Sequence, residues 1–144
     1  MTDTLLVGVD GSEGGARAAG FAAARAKESG ARLIVAYVIE WSPYTFNTPQ
    51  ENEVRHKRRE EEIARAESEV VQPLVGALKA EGLSAEGVVR HGHAAEVLSQ
   101  LARDCHASQI VIGRRGLSKL QALLFGSVAA SLVQISPVPV TVIP

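Results

Sequence analysis

The 144 residues are 46% hydrophobic and 22% charged, the balance of an ordinary globular domain long enough to bury a core without staples. Fifteen Lys and Arg against sixteen Asp and Glu leave a net charge of −1, which excludes the broad electrostatic attraction that draws proteins to nucleic acid or anionic membrane. No apolar run approaches the ~18 residues that span a bilayer, the opening residues lack the basic and apolar regions of a signal peptide, and the one cysteine, Cys105, excludes an internal disulfide. A cytoplasmic protein with no nucleic-acid partner and no membrane insertion is expected.

Leu5 to Val9 form a short apolar run that stops at Asp10-Gly11-Ser12, the pattern of a buried strand ending in a turn. Ser12 or Asp10 is placed to cap an Ala-rich helix over about 13–29, which Gly30 closes. Arg32 to Ile39 is a second strand, apolar on both faces. Residues 41–50 hold Pro43, Pro49, Trp41, Tyr44 and Phe46 and read as a loop. Residues 51–81 are then helical, with Ile63, Ala66, Val70, Leu74, Ala77 and Leu78 as the core-facing stripe. The charge run over 55–62 is a solvated face, and Pro73 is expected to kink or interrupt the helix.

Gly82 ends that segment, and Ser84 to Arg90 is a weaker third strand. His91-Gly92-His93 makes a turn before a helix over 94–105. Gln109 to Ile112 is a fourth strand that stops at Gly113, a loop runs to Phe125, and a helix over Ser127 to Ile135 leads into a last strand, Val138 to Ile143. Strict alternation of apolar strands and helices predicts a parallel sheet covered on both faces. In such sheets ligands bind beyond the carboxyl ends of the strands, where the winding reverses.

The polar and glycine-rich signals cluster at those ends. The first strand runs through Gly8 and Val9 into Asp10; the fourth runs through Ile112 into Gly113-Arg114-Arg115-Gly116, and Gly126-Ser127 opens a helix nine residues on. Glycine lets backbone N–H groups approach phosphate oxygens, and a Ser at a helix N-terminus adds a hydroxyl and a favourable dipole. Arg114 and Arg115 add charge against a triphosphate. Taken singly, each glycine reads as a turn or cap residue; the set at strand ends is harder to dismiss. A P-loop and a dinucleotide glycine fingerprint are both missing. His91 and His93 form a weak metal pair with no third ligand, although His93 follows a strand's carboxyl end and could point at phosphates. Cys105 reads as a buried, inert thiol, and no Ser-His-Asp set can be argued.

Across its whole length the sequence resembles the universal stress protein family. The ATP-binding branch of that family carries Gly-x2-Gly-x9-Gly-Ser/Thr after the fourth strand, here Gly113, Gly116, Gly126 and Ser127. Asp10-Gly11-Ser12, Tyr37-Val38 and the terminal Ser136-Pro137-Val138-Pro139-Val140 match its other hallmarks. The resemblance implies one nucleotide-binding domain over 1–144, with a five-stranded sheet ordered 3-2-1-4-5 and helices on both faces. It implies that the Val38 backbone holds adenine and that Asp10 sits at base and ribose. Ile112, Gly113 and Gly116 would line ribose and phosphates, while Gly126, Ser127 and the Val128 N–H hold the outer phosphates. Gly8, Val9 and Arg115 complete the set. ATP, accompanied by Mg2+ or Mn2+, is the expected ligand.

The resemblance further implies a homodimer through strand 138–143, whose nucleotide state a regulatory protein reads. Pro137 and Pro139, lacking N–H groups, suit an edge strand. Two other readings stay open: a slow ATPase or autophosphorylating protein using Ser127, and a nucleotide-free scaffold. Two departures stand out. Ser108 replaces the usual Asp before the fourth strand, read as a change of cap, and the loop from Arg114 to Phe125 is less glycine-rich than usual.

Overall fold

The computed structural model describes residues 3–40, 49–115 and 126–144. Five strands, β1 (Thr4–Val9), β2 (Arg32–Ile39), β3 (Ala85–His91), β4 (Gln109–Gly113) and β5 (Val140–Ile143), form one parallel sheet in the order β3-β2-β1-β4-β5. β1 lies at the centre, with Leu6 opposite Ile34 on one side and Ile110 on the other. Ser108, where the family usually has Asp, fastens the start of β4 to β1: its N–H and hydroxyl both donate to the Thr4 carbonyl, at 2.8 and 3.3 Å.

Side chains alternate across the sheet with period two, which divides the core in two. Leu5, Val7, Leu33, Val35 and Val111 face α1 (Glu13–Ser29), α2 (Pro49–Ala66) and α3 (Gln72–Ala80). Leu6, Ile34, Ala36, Ile110 and Ile112 face α4 (Ala94–Asp104) and α5 (Ser127–Ile135). The chain winds outward from β1 to β3, then returns to β4 on the far side of β1. Right-handed crossovers in opposite directions put the two helix sets on opposite faces, and the reversal falls between β1 and β4.

α1 is built as its sequence dictates. Ser12 caps it by accepting the Gly15 N–H at 3.1 Å, and Gly30 closes it at φ 75°, donating its N–H to the Ala26 carbonyl at 2.8 Å. α2 starts at Pro49, two residues inside the expected loop; a proline suits a helix's first position because its missing N–H would have no partner there. The expected break at Pro73 takes the form of a π-helical turn, Glu67–Val71, between α2 and α3. Pro73 cannot donate to a carbonyl four residues back, and the backbone widens just before it, the Gln72 N–H reaching the Glu67 carbonyl five residues back. β5 is two residues shorter than expected because Pro139 contributes only a carbonyl, which accepts the Ile110 N–H at 3.0 Å.

Candidate functional site

A cleft of about 450 Å3 opens at the carboxyl ends of β1, β2 and β4, at the point where the winding reverses. Gly8, Val9 and Asp10 line it from β1, Val38 from β2, and Ile112 and Gly113 from β4. Arg115, Gly126, Ser127 and Val128 line it from the segments that follow β4. Ten of the eleven residues singled out in the sequence therefore meet in one cleft; Gly116 lies outside the described residues, as do Trp41, Tyr44, Phe46 and most of the loop from Arg114 to Phe125.

The β1 turn is tightly organised. Asp10 Oδ1 accepts both the Ser12 N–H, at 3.0 Å, and the Ser12 hydroxyl, so the carboxylate and the α1 cap hold one another. Gly11, at φ 83°, lets the chain make this turn. α1 then passes directly under the end of β4. A Cβ on Gly113 would stand 2.7 Å from the Gly14 carbonyl carbon, and one on Gly14 would collide with the Arg115 carbonyl oxygen. Gly8 is also close-packed, its missing Cβ 3.1 Å from a Leu98 methyl and 3.2 Å from one of Ile112.

At the β4 end the Gly126 N–H donates to the Arg114 carbonyl at 2.8 Å, which brings the helix start back against the strand end. Gly126 is the N-cap of α5 in extended conformation, and no side chain among the described residues caps that helix. The first N–H groups of α5 therefore keep the positive end of the helix dipole available toward the cleft. Arg114 lines the same end, and its Nε is buried without a hydrogen-bond partner among the described residues. An unpaired buried donor costs about 1–3 kcal/mol.

The β2 end differs. Ala36, Val38 and Leu98 give it an apolar lining, to which Glu40 adds a carboxylate. Glu40 Oε1 accepts the N–H of Ala94, the first residue of α4, at 3.1 Å. His93 does not point at the α5 end: its exposed ring lies 3.8 Å from Glu40 Oε2. His91 turns the other way, its Nε2 3.4 Å from Glu62 Oε2 of α2. The two histidines thus diverge, and no group of three His, Cys, Asp or Glu able to hold a metal occurs among the described residues. Tyr37 borders the cleft, and burial, followed by the charges of Asp10 and Glu62, raises its pKa. Cys105 is half-buried at the end of α4 rather than fully buried, and burial pushes its thiol pKa up, the reverse of an activated nucleophile.

A sequence model of the universal stress protein family matches residues 1–144. The universal stress protein in the QAH/OAS sulfhydrylase 3' region of Thermus aquaticus is 34% identical over 149 residues, covering 99% of each chain. The chain belongs to the universal stress protein family. Among solved structures, universal stress protein UspA from Lactobacillus plantarum superposes with a TM-score of 0.86 at 22% identity, over 99% of this chain and 97% of that one. A universal stress protein in complex with cAMP superposes with a TM-score of 0.66 at 26% identity, over 99% and 96%. The five-stranded 3-2-1-4-5 sheet of this universal stress protein is the fold of those neighbours.

Among the lining residues that the sequence analysis did not single out as members of the cleft are Gly15, Glu40 and Leu98. Gly15 and Leu98 read as ordinary helix positions. Glu40 carried one signal, a carboxylate directly after an apolar strand at the end of the sheet where ligands bind.

Proposed function

We propose that this universal stress protein binds an adenine nucleotide, ATP in preference to AMP or a cyclic nucleotide, in the cleft between β1 and β4. One observation carries the reading: the cleft is apolar at the β2 end and anion-seeking at the α5 end. An α5 N-terminus that no described side chain caps and the guanidinium cations of Arg114 and Arg115 border the cleft there. A triphosphate matches that end better than a single phosphate, because α5 offers N–H groups beyond those reachable from Gly113. Adenine then lies against Val38, with Asp10 toward the ribose and Gly126, Ser127 and Val128 on the outer phosphates. The cAMP-bound neighbour supports an adenine nucleotide as the class of ligand. Mg2+ or Mn2+ would arrive with the phosphates and be held mainly by them.

The two carboxylates that border the cleft are engaged as caps, Asp10 on Ser12 and Glu40 on Ala94. This favours a binding protein over a fast hydrolase, which needs a carboxylate or similar group to position the attacking water. We assign the protein a regulatory role in the cytoplasm: a homodimer through 138–143 whose loaded state a partner protein reads.

Ser127→Glu separates binding from folding. Ser127 is exposed at the first position of α5, where a carboxylate favours the helix by roughly 0.3–1 kcal/mol and repels phosphate. Thermal melting is expected to stay level or rise, while calorimetric titration with Mg-ATP shows binding lost. Unchanged ATP affinity in Ser127→Glu would contradict the placement of the phosphates.

A further inference from the structure

Glu40 closes the end of the cleft opposite α5. It stands two residues after Val38, and it is a fixed group: Oε1 accepts the Ala94 N–H at 3.1 Å, so that β2 supplies the cap that His93 fails to give α4. The carboxylate is thereby held in the lining of the cleft together with the apolar Ala36, Val38 and Leu98. The groups that favour phosphate all lie at the other end, so a nucleotide seated on them places its base here. A carboxylate accepts hydrogen bonds and has none to donate. It favours a base edge bearing an N–H and disfavours one bearing a carbonyl. With Oε1 engaged on α4 and Oε2 3.8 Å from the His93 Nδ1, a two-oxygen clamp on adjacent N–H groups is not available, and Oε2, which accepts more than one hydrogen bond, can take a single amino group.

We propose that Glu40 is the base-selecting residue of the cleft, accepting a hydrogen bond from the 6-amino group of adenine and discriminating against 6-oxopurines. The assignment rests on the nucleotide-binding reading above. It predicts a preference of about tenfold for ATP over ITP, the size of one hydrogen bond to a charged acceptor at the weak end of its range; the 56% exposure of the Glu40 side chain sets it at that end.

The test is calorimetric titration of the wild type and of Glu40→Gln with Mg-ATP and Mg-ITP, two purines of one shape. Glutamine keeps an oxygen for Ala94 and brings an NH2 group that can donate to O6. The ATP-to-ITP affinity ratio is expected to fall to about one or to invert, with the thermal melt unchanged. If Glu40 only positioned α4, Glu40→Gln would leave both affinities, and so their ratio, as in the wild type; a ratio that holds overturns the assignment and leaves nucleotide binding standing. Failure of the wild type to bind either nucleotide overturns both.

Discussion

Gly113 meets two demands with one residue. It borders the cleft where phosphate or ribose would approach, and its missing Cβ leaves room for the α1 backbone, 2.7 Å from the Gly14 carbonyl carbon. Only the first demand was legible in the sequence, because the second arises from two distant segments meeting. Gly113→Ala is therefore a packing mutation as well as a site mutation. It is expected to cost about 1–3 kcal/mol, the range of an overpacked position, and to weaken nucleotide binding. Gly20 gives the opposite sign. It lies exposed within α1, with nothing within 4 Å of where its Cβ would stand, so Gly20→Ala should stabilise by roughly 0.5–1 kcal/mol. Urea unfolding of both variants checks the pair; a Gly113→Ala protein as stable as the wild type would refute the packing role. Glu40 shows the same limit on reading. Its chemistry was visible in the sequence, but its place came from a contact between β2 and α4 across 54 positions.

The elements themselves were largely legible. Short continuous apolar runs marked the strands, and α1, β2 and α5 have the expected bounds because caps and glycines punctuate them. β3 lies one residue later than expected and α4 ends one residue early; the other departures have local causes in proline. Pro49 opens α2 early, Pro139 shortens β5, and Pro73 follows a π-helical turn. A break at Pro73 was predictable; its form was not, since π and α turns differ by one step in hydrogen bonding and tertiary contacts bear on the choice. The widened turn presses Val71 into the space where a Gly87 side chain would be and lays Val70 against Gly11 of the β1 turn. Val71 is almost fully buried and has little room to retreat. Gly87→Ala should accordingly destabilise by about 1–3 kcal/mol, read as a lower urea midpoint with unchanged slope. A neutral Gly87→Ala would mean that the turn yields readily to an added methyl.

At the scale of the whole molecule, the sheet leaves β5 as an outer strand, paired on one side only among the described residues. Its four residues are all half-buried, and Val133 and Ile135 of α5 are 57% and 44% exposed. An open strand edge beside exposed apolar side chains is an association surface, which supports the homodimer proposed through 138–143. Light scattering after size exclusion is expected to give twice the chain mass; a monomer at micromolar concentration would count against it. The central claim is that the winding reversal between β1 and β4 makes an adenine-nucleotide site with its phosphates on α5. The most direct test is titration of the purified wild-type protein with ATP, AMP and cAMP in the presence of Mg2+. The account predicts saturable binding of one ATP per chain, tighter than AMP or cAMP because only ATP carries outer phosphates to the first turn of α5. Failure to bind any of the three would contradict it, and AMP binding as tightly as ATP would remove the phosphates from α5.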